Sequence, residues 1–172
     1  KILIMAAQIS KATLADVPEL NNLVNGAYRG DSGRKGWTTE ADLIDGTRLD
    51  EAILTDLINR NDTTVLTYRE ENVLLGCVEL RKEGDKLYLG MLSVQPNTQG
   101  KGVGKKILAA AEEHARSLRC NIITMNVISV RSELIAWYER HGYTLTGERK
   151  PFAAPDERWG IPKSKLEFVL ME

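Results

Sequence analysis

The chain has 172 residues, of which 42% are hydrophobic and 27% charged, as in a globular protein, and its length fits a single domain over residues 1–172. Its 23 lysines and arginines against 24 aspartates and glutamates give a formal net charge of −1, and the lack of a basic excess argues against a nucleic-acid partner. No apolar stretch approaches the ~20 residues that a membrane helix needs, so no membrane partner is expected.

The chain opens with KILIM, which is too short for the apolar core of a signal peptide and lacks a small-residue cleavage pattern. Export is therefore not expected, and we predict a cytoplasmic protein. The two cysteines, Cys77 and Cys120, are too few for a disulfide or metal framework. No metal site is expected.

The first third of the chain predicts helices. Apolar residues recur at helical spacing over residues 13–29 and again over residues 49–57. Between them, Thr38 and Thr39 offer N-caps for a further helical stretch that Gly46 should interrupt or end. The stretch YRGDSGRKGW, with three glycines among charges, predicts a loop.

From residue 64 the apolar period changes to that of strands. Residues 64–68, 75–80 and 87–94 form three short runs separated by charged or glycine-bearing turns, which predicts an antiparallel meander. Its clearest hairpin turn is at Gly84. The third run, LYLGMLSV, is apolar on both faces, so we place it in the middle of the sheet.

The second half of the chain alternates helices and strands, which predicts a mixed α/β domain with α+β character. Gly142 should end the last helix in a left-handed conformation. The predicted elements are a helix over residues 103–118, a buried strand over 122–128, a helix over 131–141 and strands over 143–149 and 166–171.

The segment LSVQPNTQGKGVGKK, residues 92–106, carries the strongest functional signal. A central strand runs through a turn with Gly100, Gly102 and Gly104 into a helix. These glycines let the backbone approach a ligand and aim several N–H groups at one point, and the helix N-terminus adds partial positive charge. The segment therefore predicts a phosphate or pyrophosphate site.

Two familiar nucleotide motifs do not fit this turn. A P-loop needs a glycine where Gln99 stands and a hydroxyl where Lys106 stands, and the dinucleotide fingerprint needs a glycine at Lys105. Two alternatives stay open at this point: a plain strand-to-helix turn with surface lysines, and a nucleotide-binding enzyme that uses the same turn.

The spacing V-x-P-x-x-Q-G-x-G-x-G, from Val94 to Gly104, resembles the acyl-CoA signature of the GNAT superfamily of N-acetyltransferases. The segment LIAWYERHGY, residues 134–143, is similar to that family's fourth helix, and the order of predicted elements fits from about residue 9 to residue 171. The resemblance implies a central mixed, mostly antiparallel sheet of six to seven strands flanked by helices. It also implies acetyl-CoA as cofactor and transfer of its acetyl group to a primary amine of a small molecule or peptide N-terminus, by direct attack in a ternary complex.

Carried over residue by residue, the resemblance implies a cofactor site along the central strand and the turn. The strand end would pair with the pantetheine arm like an added strand, and the N–H groups of the turn would wrap the pyrophosphate. In that family the strand before the turn splays from its neighbour, and the gap between them accepts the pantetheine arm. Asn126, at the end of the neighbouring strand, either closes the other side of this gap or satisfies local backbone. The implied cofactor-binding residues are Leu92, Ser93, Val94, Gln99, Gly100, Lys101, Gly102, Val103, Gly104, Lys105 and Asn126.

The resemblance makes Tyr138 the catalytic acid, because acetyl transfer expels a thiolate that a positioned phenol can protonate. The alternative is a core aromatic, since Tyr138 shares a buried helix stripe with Leu134 and Ile135. A thiol pKa of roughly 8.5 lies below the tyrosine pKa of about 10, so this proton transfer is uphill unless the site adjusts both. Seven residues before Tyr138, where many family members have asparagine, this chain has Arg131, which either contacts the cofactor or caps the helix.

The general base and the acceptor are less defined. Glu79 is a weak candidate for the base, with a solvent-facing strand position as the favoured alternative and a water relay as a third possibility. His114 and His141 are interpreted as surface residues. The loops 28–45 and 151–164, which carry aromatic residues and mixed charges, would build the acceptor side. A homodimer is possible, and a non-catalytic acyl-CoA-binding domain of the same fold is the alternative function.

Overall fold

The structure is a computed structural model that describes residues 6–28, 44–45, 49–152 and 161–172. The described residues form four α-helices and nine strands, preceded or linked by 3₁₀ turns at Leu14–Asp16 and Pro96–Thr98. In chain order the elements are β1 (Gln8–Lys11), α1 (Val17–Tyr28), β2 (Ile44–Asp45), α2 (Glu51–Asn59), β3 (Thr63–Glu70), β4 (Val73–Glu83), β5 (Lys86–Val94), α3 (Val103–Ser117), β6 (Ile122–Ile128), α4 (Ser132–Arg140), β7 (Leu145–Pro151), β8 (Ile161–Pro162) and β9 (Glu167–Met171).

Within the described part of the chain, seven strands form one sheet in the order β1-β3-β4-β5-β6-β9-β7. Neighbouring strands run antiparallel except β5 and β6, which run parallel because the α3 crossover connects them. The predicted mixed, mostly antiparallel sheet is confirmed, and β5 has its predicted central position. No helix in the described ranges is long and apolar enough to cross a membrane.

Apolar clusters cover both faces of the sheet. On one face α3 packs side chains such as Ile107 against strand residues such as Leu89. On the other face α1 and α2 pack Leu20 and Leu54 against residues that include Met91 of β5. Burial of such a side chain stabilises the fold by about 1.5–3 kcal/mol, so β5 is fixed from both sides just before the glycine turn.

Local sequence signals place the helix ends. The Asp50 side chain accepts a hydrogen bond from the Ile53 N–H at 2.8 Å and so caps the start of α2. Gly142 follows α4 with a φ of 93°, in the predicted left-handed conformation. Helices are confirmed in the predicted regions 13–29, 49–57, 103–118 and 131–141, whereas the helical stretch predicted after Thr38 and Thr39, with its stop at Gly46, lies outside the described residues.

The predicted strands all occur, with bounds that shift by a few residues. The hairpin turn at Gly84 joins β4 to β5 as predicted. In contrast, β1 is absent from the predicted elements. Its four residues, QISK, are all exposed, so the sequence carries no apolar alternation there, and pairing with β3 defines the strand instead.

Candidate active site

The candidate site begins at a β-bulge in β5. One residue of β4, Val78, stands opposite two residues of β5, Met91 and Leu92. Met91 has a left-handed φ of 55°, which is unusual for a side chain other than glycine. Because a bulge bends its strand and increases the local twist, the last residues of β5 turn away from β6.

The two central strands separate beyond this point. Residues 86–88 of β5 pair with residues 122–124 of β6, and the register stops there although the strands continue to Val94 and Ile128. The edge of β5 that faces β6 is therefore open over its last residues. An open strand edge can hold an extended ligand through main-chain hydrogen bonds.

A cleft of about 460 Å³ lies between the turn after β5 and helix α4. Eight of the eleven predicted cofactor-binding residues line it. Its lining consists of Leu92, Val94, Gln99, Gly100, Gly102, Val103, Gly104, Lys105, Leu134, Trp137, Arg140 and His141. The turn and the fourth helix, which are distant in sequence, thus form one site.

The glycine turn presents main-chain donors to this cleft. Gly100 and Gly102 have φ values of 85° and 81°, which strain any other residue. Gly102 caps α3 and has no side chain to accept from the first helical N–H groups, so these remain available to a ligand. The Gln99 amide donates to the Val94 carbonyl at 3.2 Å and holds the turn on β5. With Lys105 beside them, these donors suit a pyrophosphate.

Helix α4 forms the opposite wall. A Cβ at Gly104 would lie 3.3 Å from the Trp137 ring, so glycine allows the two helices to approach. The His141 ring packs 4.3 Å from the Trp137 ring, and its Nδ1 lies 2.7 Å from the Trp137 carbonyl oxygen. The interpretation of His141 as a surface residue is wrong, because it is half-buried and lines the cleft.

A smaller cavity of about 50 Å³ adjoins the cleft and shares four of its lining residues: Leu92, Val94, Gln99 and Leu134. Ser93, a predicted cofactor residue, lines this cavity rather than the cleft. Ala27, Tyr28, Arg131 and Tyr138 complete its wall. The shared residues place the two cavities side by side, one at the glycine turn and the other at the Tyr138 side chain.

Tyr138 is both a core residue and a cavity residue. It is 4% exposed, belongs to the main apolar cluster and packs edge-on against Trp137 and Tyr143. Burial raises its pKa well above the usual value; the neighbouring Tyr28 raises the pKa further, and the charge of Arg131 lowers it. Tyr138 therefore stays protonated at neutral pH, as an acid must.

Arg131 enters this cavity from the start of α4. Its side chain is 6% exposed, and its guanidinium carbon lies 5.8 Å from the centre of the Tyr28 ring. The helix start is satisfied by the Arg131 main chain, whose carbonyl accepts from the Leu134 and Ile135 N–H groups. Of the two predicted roles, helix capping by its side chain is therefore not seen.

Tyr28 is a site residue that the motifs do not single out. Its hydroxyl donates to the Leu92 carbonyl at 2.8 Å, so the end of α1 is tied to the open stretch of β5. The sequence signal for this contact is weak, because 64 residues separate the partners and Tyr28 is only one of several loop-side aromatics.

Glu79 is 7% exposed, so the favoured solvent-facing position is wrong. It lies on β4 opposite Gly90, on the sheet face that carries α1 and α2. One carboxylate oxygen is 3.5 Å from an Arg81 guanidinium nitrogen, and the other would lie 3.2 Å from a Cβ at Gly90. The same Cβ would lie 2.9 Å from the Tyr88 ring. Glu79 and Tyr88 thus cover Gly90, next to the bulge.

Two predicted cofactor residues stand apart from both cavities. Lys101 is exposed on the turn, and Asn126 is half-buried on β6 opposite Leu170. The two loops expected on the acceptor side meet where β2 pairs with β8, Ile44 with Pro162 and Asp45 with Ile161. Residues 29–43 and 153–160 of these loops lie outside the described residues, and so do their aromatics Trp37 and Trp159.

Comparison with known proteins gives a family match over most of the chain. The sequence model of the acetyltransferase (GNAT) family matches residues 20–143. A curated acetyltransferase from Agrobacterium fabrum is 30% identical over 99 residues, which make up 56% of this chain and 69% of the relative.

Solved structures share the fold at lower identity. The PaiA N-acetyltransferase of Thermoplasma acidophilum, in complex with coenzyme A, superposes with a TM-score of 0.69 at 18% identity, covering 98% of this chain and 99% of that chain. YncA of Salmonella typhimurium, a putative acetyltransferase with its cofactor acetyl-CoA, gives 0.67 at 22% identity over 96% and 92%. The ribosomal-protein-S18-alanine N-acetyltransferase of Escherichia coli gives 0.71 at 13% identity over 96% and 92%.

Proposed function

The chain belongs to the acetyltransferase (GNAT) family, and from that membership we propose that it transfers the acetyl group of acetyl-CoA to a primary amine. One observation carries the proposal: the cleft under the glycine turn adjoins the cavity of Tyr138, and the two share lining residues such as Leu92. A phosphate site and a proton donor in adjoining cavities along one strand suit a long thioester cofactor.

Acetyl-CoA binds with its pyrophosphate on the N–H groups of the turn from Gln99 to Lys105. Its pantetheine arm extends along the open edge of β5, over Leu92, Ser93 and Val94, and places the thioester near Tyr138. The complexes of the fold relatives with coenzyme A and acetyl-CoA support this choice of cofactor.

The amine attacks the thioester carbonyl directly, in a ternary complex. Main-chain N–H groups near Val94 polarise the carbonyl oxygen as negative charge develops on it. The C–S bond breaks with its electron pair on sulfur, and Tyr138 gives its hydroxyl proton to the thiolate.

The acceptor amine must itself lose a proton, because an alkyl ammonium has a pKa near 10. Glu79 is buried beside the bulge, on the face opposite the cleft, and this position supports a role as general base better than its strand pattern does. We assign it as the proton acceptor, acting through water. The acceptor is a small-molecule amine or a peptide N-terminus held by the two loops that the β2–β8 pair joins.

Calorimetric titration with acetyl-CoA tests the cofactor site. Gly102→Glu places a carboxylate at the helix N-terminus, and we expect acetyl-CoA affinity to fall about tenfold or more. Gly84→Glu is the matched control, because both glycines have positive φ and open space around the Cβ position and Gly84 lies in the remote β4–β5 hairpin.

Equal losses in the two variants, or no binding by the wild type, would overturn the cofactor assignment. Amine-dependent release of CoA, followed with a thiol reagent over a panel of primary amines, then tests the transfer. Binding without release for any amine would favour a non-catalytic acyl-CoA-binding domain.

A further inference from the structure

A buried cation shares the small cavity with the proton donor. Arg131 is 6% exposed and Tyr138 is 4% exposed, and both line the same 50 Å³ space. They lie at opposite ends of α4, seven residues or two helical turns apart. Removal of a guanidinium from water is costly even where it has partners, which indicates a role at this position.

The proposed proton transfer creates a need for such a cation. Proton transfer to a thiolate is already unfavourable for a tyrosine with its ordinary pKa of about 10, because the thiol pKa is roughly 8.5. Burial raises the Tyr138 pKa further, and of the side chains that act on it, Tyr28, Tyr143 and Tyr88 raise the pKa while Arg131 lowers it. The transient tyrosinate needs stabilisation that the apolar packing around it does not supply.

We propose that Arg131 stabilises the tyrosinate that forms when Tyr138 protonates the CoA thiolate, and thereby acts as a positioning residue for the proton donor. This inference rests on the proposed function. The C–N bond forms as the C–S bond breaks, the Tyr138 O–H bond breaks as the S–H bond forms, and the tyrosinate regains a proton that the acceptor nitrogen releases, through water.

The position of Arg131 separates this role from binding of the pyrophosphate. Arg131 lines the small cavity and is absent from the lining of the 460 Å³ cleft, where Lys105 and Arg140 stand instead. Its guanidinium also packs over the ring of Tyr28, whose hydroxyl is bonded to Leu92. The cation therefore lies in the cavity that Tyr138 lines, against the residue that is bonded to the open stretch of β5.

A double-mutant cycle tests the inference. We expect Arg131→Met to lower kcat by about 10–100-fold with the KM for acetyl-CoA changed less than about twofold, and Arg131→Lys to recover part of the loss. In the presence of Tyr138→Phe, which has no proton to give, Arg131→Met should change kcat less than about twofold. Thermal unfolding and acetyl-CoA calorimetry on each variant accompany the kinetics.

A loss of kcat that persists in the presence of Tyr138→Phe, or a raised KM with kcat unchanged, would overturn the inference while leaving the acetyltransferase proposal intact. If Arg131→Met does not fold, the cycle is run with Arg131→Lys, and equal losses with and without Tyr138→Phe overturn it. Absence of amine-dependent turnover in the wild type refutes the proposed function itself.

Discussion

At the residue scale, the burial of Tyr138 in the core is compatible with the catalytic role that we propose for it. It shares an apolar stripe and belongs to the main cluster, yet it also lines the cavity next to the open strand. Burial that stabilises the fold keeps the phenol protonated, since the raised pKa disfavours the charged form. The two interpretations of Tyr138 as core aromatic and as acid are therefore compatible.

Replacement of Tyr138 by Phe should separate chemistry from binding. We expect kcat to fall by about 10²–10⁴-fold, the usual contribution of an acid catalyst, while acetyl-CoA affinity changes little because the ring remains. Steady-state kinetics and calorimetry check both parts. Tyr143→Phe is the matched control: Tyr143 is also buried, but its hydroxyl donates to Glu112 at 3.1 Å and lines neither active-site cavity.

The pH profile provides a second measurement on the same proton donor. Because the Tyr138 pKa is raised, the group keeps its proton to higher pH than a free tyrosine, whose pKa is about 10. Activity should rise with pH as the amine deprotonates and show no descending limb below about pH 10. A descending limb near pH 8–9 that Tyr138→Phe removes would contradict this assignment.

Other site residues could not be assigned from the sequence because their neighbours come from distant segments. Glu79 has an ordinary strand pattern, which does not reveal that tertiary packing buries it beside Arg81 and Gly90. The sequence places Arg131 only at the start of a helix, because its contact with the Tyr28 ring depends on how α1 packs. Tyr138 and the turn glycines could be assigned because their motifs are local and regularly spaced.

At the element scale, the residue pattern predicts the helices and strands well, whereas only the family resemblance implies the separation of β5 from β6. The apolar periods determine where the elements run, and the glycines mark the turn. The bulge depends on a left-handed Met91, a residue type without a preference for that conformation. The pairing of β5 with β4 determines where this bulge forms, and no local sequence pattern predicts it.

The close approach of α3 and α4 gives the element-scale prediction. Gly104 faces Trp137 across the cleft, so Gly104→Leu should push the helices apart or fill the cleft and weaken acetyl-CoA binding about tenfold or more. The fold should survive, because glycine inside a helix costs about 1 kcal/mol relative to alanine. Ala109→Leu, on the exposed side of α3, should bind acetyl-CoA as the wild type does, and calorimetry compares the two.

At the scale of the whole molecule, one sheet connects the cofactor side to the acceptor side. β4 and β5 carry the bulge, β6 and β9 continue the sheet past the gap, and β2 pairs with β8 in a separate two-stranded sheet. Because every strand of the main sheet pairs with a neighbour, we propose that residues 1–172 form a single domain that unfolds in one transition.

The effect of bound acetyl-CoA on Tm tests the single-domain proposal on the intact chain. A ligand that binds only the folded state at 100 times its Kd adds about 2.7 kcal/mol of stability. For a domain of this size, that raises Tm by roughly 5–10 °C. We therefore expect calorimetry to record one transition that acetyl-CoA moves upward by this amount in the wild type and Gly84→Glu. In Gly102→Glu, at the same acetyl-CoA concentration, a tenfold loss of affinity leaves about 1.4 kcal/mol, so the shift in Tm should fall to about half or less. Two transitions, of which acetyl-CoA moves one, would instead mean that the cofactor half and the acceptor half unfold separately.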